Sequence, residues 1–375
     1  MTGTPATRMI ALDGLRGWAS LSVVVFHLGW ETFGQVFPVF RTFPEALLGN
    51  GSFAVALFLM VSGYVLTIRG WRSPDKRAVQ RSLLKRYFRL TPPILVSVLI
   101  FWAIVALGWS WAQEAGRIVQ RPEWLGDFAR FHPNFADALA FGTYGVYLNA
   151  PQYGYGPFLW TMAIEFWGSF LVLGLCWLEL PGRGAYLPLV AVTGAALLVH
   201  WTPYLPIAAC YPAGALVALM TRDGLIGSGR PGRLESATAT VVAVFALAGA
   251  AWGEMTGIST RVTALLAMAA FLVVLRSGPI SRFLSLPVSQ WLGRLSFPLY
   301  LIQISVIVSV TAGLIVVTHA SGVLHLPVAL AIALASLAVC LGAAQLFLPV
   351  ERFALDLSHR AGLALMPRRA GASRA

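Results

Sequence analysis

Asp13, Arg16 and His27 draw attention first, because all three lie in IALDGLRGWASLSVVVFHLGW, residues 10–30, a run otherwise apolar enough to enter a bilayer. An ionisable group on a membrane helix costs from a few to more than ~10 kcal/mol, depending on depth and solvation. Three of them in one span therefore require protein or water around them. Arg16 and His27 are eleven residues apart, which at ~3.6 residues per turn returns almost to one face, and at ~1.5 Å rise leaves them roughly 16 Å apart along the axis. They cannot hydrogen-bond on a straight helix; they mark two depths of one polar stripe. Asp13, three residues before Arg16, is spaced to pair with it. An imidazole takes up a proton near neutral pH, which suits a general base acting on a hydroxyl. The competing reading of His27 is a hydrogen bond to a neighbouring helix.

The elements that must hold this stripe are membrane helices. The chain of 375 residues is 58% hydrophobic and only 11% charged, where a soluble protein has about a quarter of its residues charged. The net charge of +12 does not indicate nucleic acid, which requires a basic face on a soluble fold; here the cations sit in short segments between apolar runs. At about 20 residues per crossing, ten spans are expected: 10–30, 51–68, 92–111, 157–179, 185–201, 204–221, 236–253, 257–275, 289–317 and 326–350. With the N-terminus inside, the inner segments hold 20 Lys and Arg residues and the outer ones five, a strong positive-inside bias that puts both termini in the cytoplasm. The boundaries around Thr202-Pro203 and the short eighth span are the least defined. Cys176, Cys210 and Cys340 each lie in an apolar run and read as core residues without a disulfide role. The first apolar run carries charges and no small-residue cleavage site, so it is expected to remain as the first helix. The expected architecture is all-α, one polytopic membrane domain over residues 1–375 with no fused soluble domain.

Further motifs follow along the chain. The inner segment 69–89 has eight basic residues against one acid, and within it Arg86 and Arg89 precede Pro92-Pro93. They are expected on adjacent turns at a helix start, where guanidiniums bind phosphate in a bidentate manner; the plainer reading is topological charge. Ser62 and Tyr64 belong to FLMVSGY at the end of the second span, where small residues allow close helix approach and Ser62 has no base beside it in sequence. Trp160 and Glu165 open the fourth span as WTMAIE. This span enters from the outer side, where His27 leaves, so Glu165 is expected either to orient the imidazole as a carboxylate does or to pair with an arginine elsewhere. The ninth span carries LGRLSFPLYLIQ, with Tyr300 and Gln303. Glu351-Arg352 follows the last span and reads as structural. The outer segment 112–156 is rich in aromatics (Trp124, Phe128, Phe131, Phe135, Phe141, Tyr144, Tyr147, Tyr153, Tyr155), most of them expected in an interfacial belt and a minority as a stacking floor for a ligand. The remaining histidines, His132, His200, His319, His325 and His359, have no partner pattern, and the sequence offers no metal-ligand cluster and no phosphate-binding glycine loop.

Taken in order, LDGLRG with Arg-x10-His, FLMVSGY, RxxR before proline, WxxxxE and LGxxSFxxYLxQ resemble the motifs of acyltransferase family 3, integral membrane proteins that move an acyl group, often acetyl, from cytoplasmic acyl-CoA to a sugar hydroxyl. The resemblance covers nearly the whole chain. It implies acyl-CoA as a co-substrate with no bound cofactor, a saccharide or glycolipid acceptor at the outer face, and a bacterial cytoplasmic membrane as the location. By it Arg86, Arg89 and Arg16 hold acyl-CoA, His27, Arg16 and Glu165 act in catalysis, and Asp13, Ser62, Tyr64, Trp160, Tyr300 and Gln303 support them. Phe297 replaces a frequent tyrosine and Gln303 stands where histidine is common, which leaves His27 as the better candidate base. The alternative class is a transporter or flippase lined by the same charges, though the chain shows no inverted repeat. A transporter would leave its substrate unaltered and consume no acyl-CoA.

Overall fold

A computed structural model describes residues 5–71, 76–148, 154–178, 184–199, 202, 204–226 and 231–366. Numbering only the long helices, these are α1 (Pro5–Phe26, continued by a π-helical turn over His27–Glu31), α2 (Gly51–Trp71), α3 (Lys76–Ala106), α4 (Trp160–Leu178), α5 (Tyr186–Leu198), α6 (Cys210–Arg222), α7 (Arg233–Thr256), α8 (Thr260–Val274), α9 (Pro287–Val306) and α10 (Leu326–Leu365). Among the described residues there is no strand, which fits the requirement that every backbone group in lipid be satisfied within its own segment. Large apolar side chains such as Phe245, Trp252, Leu334 and Leu346 are exposed on the outside of the bundle, where hydrocarbon covers them.

Each of the ten expected spans coincides with a helix, but they are not ten equal crossings. Among the described residues, eight helices are long and apolar enough to cross a membrane, or up to nine if Thr260–Val274 and Gly278–Leu284, joined at a bend of 93°, count as one broken span. The fifth, α5, covers only 13 residues; His200, Trp201 and Pro203 at its junction with the sixth lie outside the described residues. Counting apolar residues locates hydrophobic runs but not the bends within them.

Two helices are longer than their apolar runs. The 31 residues of α3 rise about 46 Å and the 40 of α10 about 60 Å, at ~1.5 Å per residue, against ~30 Å of hydrocarbon. Arg86 and Arg89 therefore do not sit at a helix start, as expected from Pro92-Pro93; both prolines lie inside a continuous α3, as membrane bundles permit. Likewise Glu351 lies within α10 rather than after it. The basic end of α3 and the far end of α10 pack together: Arg81 Nε donates to the Met366 carbonyl at 3.2 Å.

The helices that carry the motifs meet backbone to backbone. A Cβ at Gly17 would lie 2.4 Å from the Gly293 nitrogen, and one at Gly293 only 2.6 Å from the Asp13 carbonyl oxygen, so α1 and α9 cross through the glycines of LDGLRG and LGR. Side chains then lock the seam, with Ser20 Oγ donating to the Ser296 carbonyl at 3.0 Å and Trp18 Nε1 to Ser289 Oγ at 2.9 Å. The α2–α6 crossing repeats the device, with Gly63 against the Tyr211 carbonyl and Gly214 against that of Met60. One apolar core lies between α3, α9, α10 and the outer segment, and a second between α2, α6 and α8. Helix α1 packs on both α9 and α2, between the two cores.

Candidate active site

The polar stripe of α1 faces two cavities in line. The inner one, about 350 Å³, is lined by Arg16, Arg69, Lys85, Arg86 and Arg89 together with Asp13, Glu165 and Glu351, and by Ser62, Phe58 and Met162. Five cations against three acids give it a net positive lining. Arg86 and Arg89 reach it from α3, Arg16 from α1, and Arg69 from the last turn of α2. Arg16 lies over the Phe58 ring at 4.8 Å. Arg16 Nε, Arg86 Nε and Glu165 Oε2 are buried without a hydrogen-bond partner among the described residues, so each retains donor or acceptor capacity toward a ligand.

Phe58 and Met162 are shared with a second, much smaller cavity of about 20 Å³, whose other walls are Ala19, Ser20, Val23, Ala54, Val55, Leu59, Thr161 and Tyr300. Its outer end is closed by the Tyr300 hydroxyl, hydrogen-bonded to Thr161 Oγ1 at 2.6 Å and donating to the Phe158 carbonyl. The Phe158 ring is in turn stacked on His27, with centroids 4.0 Å apart and planes 8° from parallel. Residues 16, 20, 23 and 27 of α1 thus run from cationic cavity through slot to imidazole on one helix face.

The imidazole is fixed in one orientation and one tautomer. Gln303 Nε2 donates to the Tyr300 carbonyl at 3.1 Å, a contact only the amide nitrogen can make, so Oε1 points the other way. There it lies 3.0 Å from His27 Nδ1. An amide oxygen only accepts, hence Nδ1 is the protonated nitrogen, and in the neutral imidazole Nε2 keeps the lone pair. Trp124 flanks the ring at 5.9 Å, and His27 itself is half-buried.

Several expectations change. Of the two readings of Glu165, the arginine pair is the one formed: it lies 3.6 Å from Arg86 on the wall of the inner cavity and does not orient His27. Three residues after Met162, it lies about 60° from that residue around α4, and both line this cavity; the orienting group comes from α9 as Gln303. Asp13 and Arg16 both line the cavity, yet no ion pair joins them among the described residues, and Asp13 is exposed. Ser62 lies in the inner cavity rather than beside His27. Tyr64 and Trp160 line neither cavity; they pack edge-on against Phe271 and tilted against Tyr204. Glu351 is not merely structural in placement, since it lines the cavity beside Arg89. Phe158, Thr161, Arg69 and Lys85 were not singled out in the sequence. Only their neighbours gave a signal: Phe158 and Thr161 flank the Trp160 motif, and Arg69 and Lys85 belong to the basic segment.

Of the outer aromatics, Trp124 and Phe128 pack around Phe158, with centroids 6.4 and 5.3 Å from it. Arg121 carries Trp124 into place, lying 5.7 Å over its ring while ion-paired with Glu31 at the end of α1. Phe131 and Phe141 instead surround Tyr155, whose hydroxyl accepts from the Asn134 amide at 2.6 Å and donates to its carbonyl at 2.7 Å. Burial pushes the Tyr155 hydroxyl above the usual tyrosine range. Phe135 packs on Trp102, Tyr147 is bonded to Thr91, Tyr144 is exposed, and Tyr153 lies outside the described residues.

The acyltransferase family 3 model, described as an acyltransferase domain, matches residues 9–344, a span that holds every residue of the slot and the His27–Gln303 pair. The chain belongs to acyltransferase family 3. Among curated proteins it is similar to O-acetyltransferase PaAT-1 of Phomopsis amygdali, 28% identical over 229 residues, which cover 52% of this chain and 46% of that protein. The chain thus aligns with about half the length of this curated relative. No solved structure matches.

Proposed function

We propose that this family member is an acyl-CoA-dependent O-acyltransferase that modifies a hydroxyl of a saccharide or glycoconjugate at the outer face of a bacterial cytoplasmic membrane, with both termini cytoplasmic. The observation that carries the reading is the 3.0 Å contact of His27 Nδ1 with Gln303 Oε1, which assigns the base to Nε2, at one end of a stripe that begins in a cationic cavity. The phosphates of acyl-CoA bind Arg86, Arg89 and Arg16, assisted by Arg69 and Lys85, from the side where Lys and Arg are concentrated. The acyl-pantetheine arm extends past Phe58 and Met162 toward Tyr300.

The reaction balances with groups of this chain. His27 Nε2 takes the proton of the acceptor hydroxyl as its oxygen attacks the thioester carbonyl. The C–S bond breaks, the acyl group leaves on the oxygen, and the imidazolium returns the proton to the thiolate of CoA. Trp124, half-buried beside the imidazole and backed by Phe128, offers an apolar face for a sugar ring.

The test is CoA release from radiolabelled acetyl-CoA by detergent-purified protein with a mixed glycan extract, wild type beside His27→Ala. General-base catalysis contributes ~10²- to 10⁴-fold, so the variant should lose at least about two orders of magnitude in kcat while still binding CoA. Normal turnover by folded His27→Ala protein would falsify the assignment. Absence of CoA release from the wild type with any donor would favour transport, to be followed in liposomes.

A further inference from the structure

We propose that Glu31 and Arg121 are positioning residues for the reaction at His27, their ion pair fastening Trp124 of the outer segment against the side of the imidazole. The inference rests on the reading of His27 as the base and goes beyond it by naming the groups that hold the ring's surroundings. Gln303 holds the imidazole at Nδ1, and a ring held at one atom can still swing about that contact. Packing has to stop the swing. Phe158 covers one face, its centroid 4.0 Å away, while the Trp124 centroid lies 5.9 Å from His27 and 6.4 Å from Phe158. The three centroids form a triangle, so the indole closes the side of the stack. Trp124 stands on a turn outside the long helices, and such a turn needs a fastening.

Three departures from ordinary backbone and side-chain chemistry converge on that fastening. The first is the π turn over His27–Glu31, in which the His27 carbonyl accepts from the Thr32 amide and, at 2.6 Å, from Thr32 Oγ1. Its extra residue re-aims the chain just after the imidazole, as π turns do at functional sites, and its last residue, Glu31, meets Arg121. The second is the end of the short helix Ala112–Ile118. The Arg121 amide donates to the Gly116 carbonyl at 2.7 Å and the Gln120 amide to that of Arg117 at 3.2 Å, a Schellman turn. Its left-handed position, where glycine is unstrained, is occupied by Gln120 with φ +56°, the one non-glycine residue of positive φ among the described residues. The third is Arg121 Nε, buried without a hydrogen-bond partner among the described residues. Backbone strain and an unmet buried donor persist where the surroundings over-determine them. What they secure here is a guanidinium bonded to Glu31 and lying 5.7 Å over the Trp124 ring. The Arg121 and Glu31 side chains are 23% and 17% exposed, so salt screens the pair little. Neither residue lines the cationic cavity or the slot; they act on the reaction through Trp124.

The experiment measures CoA release from radiolabelled acetyl-CoA with the mixed glycan extract for Arg121→Gln, Trp124→Ala and the double variant. Each rate is divided by the concentration of CoA-binding sites, so unfolded protein does not count. A misplacement of about 1 Å costs on the order of 100-fold, so Arg121→Gln should lower kcat at least about tenfold. The KM for acetyl-CoA should stay as in wild type. Trp124→Ala should lower kcat to a similar degree, and adding Arg121→Gln to it should cost less than about twofold more, because coupled residues are not additive. Arg121→Lys, which keeps a cation between Glu31 and the indole, should recover most of the turnover. If Arg121→Gln yields no CoA-binding protein, Glu31→Gln takes its place with the same expectations. A merely structural tie would lower yield and melting temperature while leaving kcat per site unchanged, and that result overturns the inference. So do losses that multiply in the double variant. Turnover that depends on His27 but not on Arg121 overturns the inference alone. If His27→Ala turns over normally, or wild type releases no CoA, it is the reading of His27 as base that fails, and the inference falls with it.

Discussion

Gln303→Leu removes the group that holds His27 in its basic tautomer while leaving the imidazole in place. Gln303 is fully buried and its Oε1 lies 3.0 Å from His27 Nδ1. Leucine at this position leaves a ring N–H unpaired beside the Phe158 and Trp124 rings, at a cost of ~1–3 kcal/mol for an unsatisfied buried donor. The ring recovers part of that energy by moving its proton to Nε2 or rotating toward another acceptor, and in either state Nε2 no longer faces the acceptor hydroxyl as a base. At ~1.4 kcal/mol per tenfold, kcat should fall roughly 5- to 150-fold. That is less than the loss expected for His27→Ala. The KM for acyl-CoA should not move, because Gln303 lines neither cavity. Steady-state CoA release over a range of acyl-CoA concentrations separates the two parameters, and a melting curve in detergent shows whether the bundle is intact. A kcat within about twofold of wild type would refute the tautomer argument. So would a raised KM at constant kcat, which would assign Gln303 to donor binding.

Removing one partner of the buried Arg86–Glu165 pair, whose side chains are 12% and 10% exposed, leaves a buried charge at a cost of ~3–5 kcal/mol. Glu165→Leu and Arg86→Leu should each lower the melting temperature more than the double variant does, and a thermal double-mutant cycle that is additive would contradict the pair. Arg89→Gln should raise the KM for acyl-CoA, and ionic strength should raise it less in the variant than in wild type, since one phosphate partner is gone. Gly17→Ala sets a Cβ 2.4 Å from the Gly293 backbone nitrogen, so α1 and α9 must separate; detergent-extracted yield and melting temperature should both fall, and a wild-type melting curve would show that the crossing can yield.

What the sequence alone determined here is what depends on local period and on solvent. Runs of apolar residues are costly outside lipid, so the hydrophobic spans are legible without a fold. The alignment of Arg16, Ser20, Val23 and His27 on one face follows from 3.6 residues per turn, and the motif glycines at 14, 17, 63 and 293 announce close helix approach. Which side chain meets which across helices is a different kind of information. A carboxylate is the better textual partner for an imidazole than an amide is; only the crossing of α9 over α1 turns Gln303 to His27, and only the course of α4 beside α3 turns Glu165 to Arg86. The bend of 93° after α8 and the lengths of α3 and α10 escaped a hydropathy count because apolar composition does not record where a helix stops. The slot is the furthest from the sequence. It is a void left between Ala19, Val23, Ala54 and Val55, and the size of a void is set by how three-dimensional packing of whole helices fails to close, which no single segment carries.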